Sequence, residues 1–293
     1  MLNDNSKSFL RLHLIVFIWG FTAVLGRLIS LDALPLVWFR MLFAVFFILG
    51  YIRVKKIPIK LPKRTIFKFL VAGLIIALHW LTFFRAIKVS NVSITLACIS
   101  TGAFFTSLIE PIFFGKKIIW YEIFFGLIVV FGLSILFHVE GRYVEGIILA
   151  LISAFLSALF AVINSKFVKD YKPTIISFYE LSGGVLFFSI ILLFSNSVTL
   201  AFFKLTSNDF MYLMILSSIC TAYAFIESTA VMKFLSPYTV MLTINLEPIY
   251  GIILAVLIFK EKEQMSPGFY IGAAIILLTV ILNGIIKSRQ KVT

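Results

Sequence analysis

The chain has 293 residues, 61% of them hydrophobic and 13% charged, against about 45–50% apolar and about 25% charged in soluble domains, which excludes an ordinary soluble protein. Its 33 phenylalanines are spread along the whole length, so a single anchor on a soluble domain is excluded too. The net charge of +13 would suggest nucleic acid in a soluble protein, but here the lysines and arginines lie between apolar runs, where they set membrane orientation; the expected partner is the lipid bilayer and not nucleic acid.

A helix of about 20 apolar residues crosses the hydrocarbon core of a bilayer, and runs of that length bounded by charge, Pro or Gly predict ten spans. The first, 10–30, follows Lys7 and Arg11 as in a signal peptide, but it is long and lacks a small-x-small cleavage site, so it is expected to remain. Span 34–52 carries Arg40, span 66–85 carries His79 and Trp80, and span 90–114 carries Cys98, Gly102 and Glu110-Pro111; span 119–137 ends the first half. In the second half, 144–167 holds Asn164, 173–194 holds Tyr179 and Glu180, and 210–232 holds Cys220, Tyr223 and Glu227. The last two are 237–259, with Asn245 and Glu247-Pro248, and the glycine-bearing 267–286. Several connections have only four to eight residues, so function is expected inside the helix bundle. Cys98 and Cys220 read as small buried hydrophobes.

With the N-terminus placed in the cytoplasm, 18 Lys and Arg fall on the inner side and seven on the outer, with Arg40 left inside a span. That bias predicts a multi-pass protein of the cytoplasmic membrane with both termini cytoplasmic. A shift of 146 residues lays 90–130 over 236–276 without a gap: Ser90 falls on Ser236, Gly126 on Gly272, and the turn 115–117 on 261–263. Earlier in each half the shift drifts to about 140 and sets the WFR at 38–40 against the FYE at 178–180. Five spans per half is an odd number, so the second copy enters from the opposite face. The expected fold class is therefore an all-α integral membrane protein, ten transmembrane helices in two inverted five-helix repeats over residues 1–140 and 141–293.

The WFR near the start of the second span, the run LSPYTVMLTINLEPIYGIILAVLIFKEK at 235–262 and the PGFYIGAAIILLTVIL at 267–282 resemble the EamA-type family of the drug/metabolite transporter superfamily. The resemblance covers roughly residues 10–286. Two departures are visible: Thr101-Gly102 stands where the second half has Glu247-Pro248, and the turn at 259–262 reads Phe-Lys-Glu-Lys instead of Gly-Glu. What the resemblance implies is a bundle with a central cavity and alternating access, moving small metabolites, often amino acids, usually outward.

Charges at bilayer depth cost at least about 2.5 kcal/mol each on insertion scales, so each is a candidate functional group. Arg40 and Glu180 occupy matching places in the two halves; Arg40 is either a cavity or gate charge or a side chain reaching toward the headgroups. Tyr223 and Glu227 lie one turn apart and are expected to form a cavity wall. His79 could carry a proton or bond to a neighbouring helix, and Asn164 and Asn245 are mid-span amides that glue helices or bind substrate. Trp80, Tyr179 and Tyr223 would supply stacking contact, Arg40 would attract a carboxylate or phosphate, and Glu180, Glu227 or Glu247 would hold an amine or a coupling proton, since burial favours the protonated form of a carboxyl group. Pro248 deprives Ile244 of its backbone donor, so a bend is expected there, with Gly102 as its counterpart in the first half. Glu110, near the end of its span, is expected to be solvated or paired with Lys116 and Lys117.

The expected function is a secondary transporter, not an enzyme, without cofactor or metal, acting as a monomer or weak homodimer with protons as a candidate coupling ion. A membrane enzyme acting on lipid would show clustered Asp or His groups for metal or phosphate chemistry, whereas the three histidines lie in three separate regions. A channel would show symmetric rings or a filter sequence. Both remain the alternatives to a transporter.

Overall fold

The computed structural model describes residues 4–115, 120–139, 141–195, 202–260 and 265–290; the charged turns at Lys116-Lys117 and 261–263 lie outside them. These residues form helices and connecting turns, with no strand among them. In chain order the helices are α1 (Asp4–Leu28), α2 (Ala33–Val54), α3 (Lys63–Val89), α4 (Val92–Ile99), α5 (Gly102–Phe114) and α6 (Trp120–Val139). They are followed by α7 (Val144–Asp170), α8 (Pro173–Phe194), α9 (Ser207–Ser217), α10 (Ala224–Val231), α11 (Pro237–Ile244), α12 (Glu247–Phe259) and α13 (Pro267–Gln290). A π-helical segment, Ser218–Tyr223, joins α9 to α10.

Taken as continuous segments, eight of these are long and apolar enough to cross a membrane: α1, α2, α3, α4 with α5, α7, α8, α9 with α10, and α11 with α12. Shorter apolar stretches lie at Phe124–Ile135 and Pro267–Thr279, in α6 and α13, which pack on each other. The outer surface is apolar, with Phe194 86% and Leu257 68% exposed, as a lipid-facing bundle requires.

The break expected at Pro248 is present, and it is matched. In the second half the helix stops after Ile244 and resumes at Glu247, with Asn245 and Leu246 donating back three residues to Leu242 and Thr243. In the first half it stops after Ile99 and resumes at Gly102, within one residue of the register that a 146-residue shift predicts. Proline accounts for the second break, because it has no N–H to donate. The first break has no proline; there the Ser100 and Thr101 hydroxyls donate to the Ala97 and Cys98 carbonyls at 2.6 and 2.7 Å, a local alternative to the helical ladder. Each broken helix also starts on a side-chain cap: Asn91 accepts from Ile94 N, and Ser236 from Thr239 N.

Close approach of α3 and α8 depends on small residues. Gly73 lies against the backbone carbonyl of Glu180, and a Cβ added at Gly183 would stand 2.7 Å from the Leu70 carbonyl oxygen and 2.8 Å from its Cα. Backbone atoms cannot swing aside, so Gly183→Ala must push the helices apart. The expected cost is about 1–3 kcal/mol, the usual range for overpacking, read as a lower midpoint of thermal unfolding in detergent; an unchanged midpoint would show that the contact is not tight.

Call the face where α1 begins the near face and the one where it ends the far face. At the far face, Asp209 at the start of α9 accepts from Ser30 N and Ser30 Oγ, both at 2.7 Å, and from Thr206 Oγ1. Lys88 Nζ donates to the Ile29 carbonyl and Arg27 to the Ile87 carbonyl. The far ends of α1, α3 and α9 are thereby tied together. At the near face a pocket of about 420 Å³ lies among Glu110, Ser165, Lys169, Lys233 and Ser236.

Candidate functional site

A cavity of about 80 Å³ lies among α1, α2, α3, α7, α10 and the broken helices. Apolar and aromatic side chains dominate its wall, and Arg40, His79 and Glu247 bring charge or titratable groups to it. Met232 lines both this cavity and the near-face pocket, so the route between them leads toward the near face.

Arg40 is 1% exposed, which settles it as an interior charge and not one reaching for headgroups. Its Nε donates to Thr221 Oγ1 at 2.7 Å, and its guanidinium carbon lies 3.9 Å from the centre of the Trp80 ring. Such a cation–π contact is worth roughly 2 kcal/mol when desolvated. Nη1 has no hydrogen-bond partner, and among the described residues no ion pair reaches the group. Glu247, at the first turn of α12, lines the same cavity and forms no ion pair with Arg40 among the described residues. The arrangement is a guanidinium and a carboxyl group held apart in a largely apolar enclosure, where little solvent screens a charge.

Thr221 is positioned by the π-helical segment. Its hydroxyl donates to the Leu216 carbonyl at 2.6 Å, five residues back, and so turns its oxygen lone pairs to Arg40. The Cys220 carbonyl in the same segment accepts from Trp19 Nε1 at 3.1 Å. Such π bulges satisfy a loosened ladder with side chains and are frequent at functional sites.

His79 Nδ1 lies 2.9 Å from the Ser153 carbonyl and 2.8 Å from its hydroxyl. A carbonyl can only accept, so Nδ1 carries a proton and Nε2 remains the ring's acceptor when the imidazole is neutral. His79 thus bonds to a neighbouring helix and lines the cavity as well. Trp80 presents its face to Arg40 and packs against Phe225, which stacks on Phe160 at 5.4 Å.

The remaining expected site residues lie elsewhere. Tyr223 is 46% exposed, and Glu227 pairs with Arg11 at 3.6 Å, both on a separate pocket with Phe47 and Tyr51. The expectation that they wall the central cavity is corrected. The cavity is lined instead by Phe225, Ser228 and Met232, which lie about 100–200° around the helix from Tyr223 and Glu227. Tyr179 donates to the Ile59 carbonyl at 2.8 Å and pins the basic connection onto α8. Glu180 does not meet Arg40; it is fully buried against Asn164. Asn245 sits buried in the α11–α12 break, its amide atoms without partners among the described residues, and does not line the cavity. Pro248 and Gly102 open α12 and α5 just after the two breaks. Glu110 is 7% exposed and accepts from Tyr238 N at 3.1 Å; its expected partners Lys116 and Lys117 lie outside the described residues. It offers its carboxylate to the first turn of α11, where the helix dipole favours a negative group.

Sequence reasoning missed Thr221 and the stripe of Phe225, Ser228 and Met232. A signal existed, since these follow the i, i+4, i+7, i+11 spacing of one helix face, but a neighbouring stripe with a glutamate drew the assignment. Among the described residues no group of three His, Cys, Asp or Glu is placed to hold a metal ion.

Comparison with known proteins bears on the family and the fold. The model of the EamA-like transporter family matches residues 8–138 and again 144–285. A solved crystal structure of a protein aligns with 95% of this chain and 98% of its own, with a TM-score of 0.68 and 14% identity; at that identity the likeness shows the fold alone. No curated protein matches the chain.

Proposed function

This chain belongs to the EamA-like transporter family of the drug/metabolite transporters and is a multi-pass membrane protein, and from that premise we propose that it exports a small zwitterionic metabolite, such as an amino acid, across the cytoplasmic membrane by alternating access. The observation that carries the reading is the buried guanidinium of Arg40, whose Nη1 has no hydrogen-bond partner among the described residues, on a cavity that also holds Glu247. A carboxylate on the substrate would take the free Arg40 donors in a charge-assisted bond, while its ammonium would lie toward Glu247. A net-neutral molecule with separated charges matches a site built the same way, and Trp80, Phe160 and Phe225 offer apolar contact to its side chain.

In this reading α6 and α13 complete ten spans, the halves are inverted, and both termini are cytoplasmic. The near face is then the cytoplasmic one. The far-face ties at Asp209, Lys88 and Arg27 support a conformation closed to the outside, with loading past Met232 from the cytoplasm. Rocking of the halves would use the matched breaks at Ser100-Thr101 and Asn245-Leu246 as hinges, beside Gly102 and Pro248. A cavity of about 80 Å³ is small against the 300 Å³ or more usual for ligand sites, which fits a nearly closed state.

The test is uptake by the purified protein in liposomes across a panel of amino acids, their deaminated acids and their decarboxylated amines, with and without a pH gradient. Saturable transport of zwitterions above both analogues is the expected result. Transport of amines alone, or of nothing in the panel, would overturn the substrate assignment.

A further inference from the structure

Away from the cavity, the crossing of α7 and α8 buries a carboxyl group that the transport reading does not use. Glu180 is fully buried, as is Asn164. The Asn164 amide nitrogen donates to Glu180 Oε1 at 2.9 Å and more weakly to its own helix, at the Phe160 carbonyl, at 3.4 Å. The other oxygen of each group, Glu180 Oε2 and Asn164 Oδ1, is buried and has no partner among the described residues. No charged side chain among the described residues bonds to Glu180 or acts on it. Against its backbone carbonyl lies Gly73 of α3, which has no side chain to help. Ser177, one turn earlier on α8, is buried with its hydroxyl unpartnered and does not bond to it.

As a carboxylate, Glu180 would leave two acceptors side by side with no donor, plus an uncompensated charge in the apolar interior, and buried polar groups are rarely left so. A proton removes both faults together. It neutralises the group and supplies the O–H that Asn164 Oδ1 can accept, so that acid and amide pair through two hydrogen bonds. We propose that Glu180 and Asn164 form a proton-binding site in which the neutral acid is paired with the amide across α7 and α8. The site stands on these two helices alone and does not depend on what the cavity carries. It is placed to influence the cavity, because α8 packs on α3 at the level of Gly73 and α3 carries His79 and Trp80. Loss of the proton leaves a buried charge that is relieved only if the crossing opens to water.

Infrared difference spectroscopy of the purified full chain in lipid bilayers, in heavy water, tests this without any transport assay. The expected result is a protonated-carboxyl stretching band in the wild type that is lost in E180Q, and that moves to higher frequency in N164L because the carbonyl loses its donor. Glutamine keeps both hydrogen bonds of the neutral acid, so E180Q is expected to melt at the wild-type temperature. Identical spectra for wild type and E180Q, a band insensitive to N164L, or marked destabilisation of E180Q would each overturn the proposal. Transport failing while the band behaves as expected would count against the proposed function and leave the site standing.

Discussion

Replacing Arg40 by methionine is expected to lower the transport rate of any substrate with an anionic group by about 100-fold, since truncating a buried hydrogen-bonded charge partner costs on the order of 2–5 kcal/mol. Methionine keeps most of the length and apolar volume beneath Trp80, so the bundle should fold. What disappears is the cavity-lining guanidinium that donates to Thr221 and carries the unpartnered Nη1. Arg40→Lys separates charge from shape: lysine retains a cation but lacks the planar fork that can bond Thr221 and a carboxylate together, so an intermediate rate is expected. Initial rates in liposomes, normalised to inserted protein, decide the matter. An R40M rate within about threefold of wild type, well inside 1 kcal/mol, would remove Arg40 from the site.

The second large effect is on selectivity. Glu247→Gln keeps shape and hydrogen-bonding capacity but removes the ionisable carboxyl group from the cavity of Arg40. A hydrogen bond to a charged group contributes roughly 1.5–3 kcal/mol, so the preference for a zwitterion over its deaminated acid is expected to fall by about 10–100-fold. The deaminated acid itself should be carried as well as before or better, because Arg40 no longer has an internal competitor for its attraction. Competition of the two compounds for uptake measures the ratio directly; an unchanged ratio would show that Glu247 does not meet the amine. The stability cost of Gly183→Ala bears on the scaffold, and these two variants bear on the site.

Much of the fold was legible because membrane solvent imposes simple rules. Apolar runs of about 20 residues, the length a helix needs to cross the hydrocarbon core, and short connections located the long segments. The shift of 146 residues placed both interruptions at one level before any geometry was known, and Pro248 supplied the chemical cause of one of them. The break at Ser100-Thr101 was legible only by analogy, since serine and threonine permit a local hydroxyl-to-carbonyl bond without demanding it.

The site was legible in part. Arg40, His79, Trp80 and Glu247 meet in one cavity, and each was marked out by being polar or aromatic where the bilayer penalises polarity. Tyr223 and Glu227 carried the same mark and face elsewhere, and Glu180 carried it and turned to Asn164. Composition says that a buried charge needs an account; it does not say on which side of its helix the account is found. Thr221 had no mark at all, because its role arises from a π-helical turn that no residue in Ser218–Tyr223 dictates.

By itself, then, the sequence determined the class of solvent, the helical segments, the repeat and the short set of polar residues that must be explained. Those follow from the free energy of placing each residue type in hydrocarbon, which depends on the residue and its neighbours along the chain. Only the tertiary structure decided which polar residues meet, because that depends on helix rotation and tilt. One residue of rotation is about 100°, and the packing of small residues such as Gly73 and Gly183 against backbone sets it.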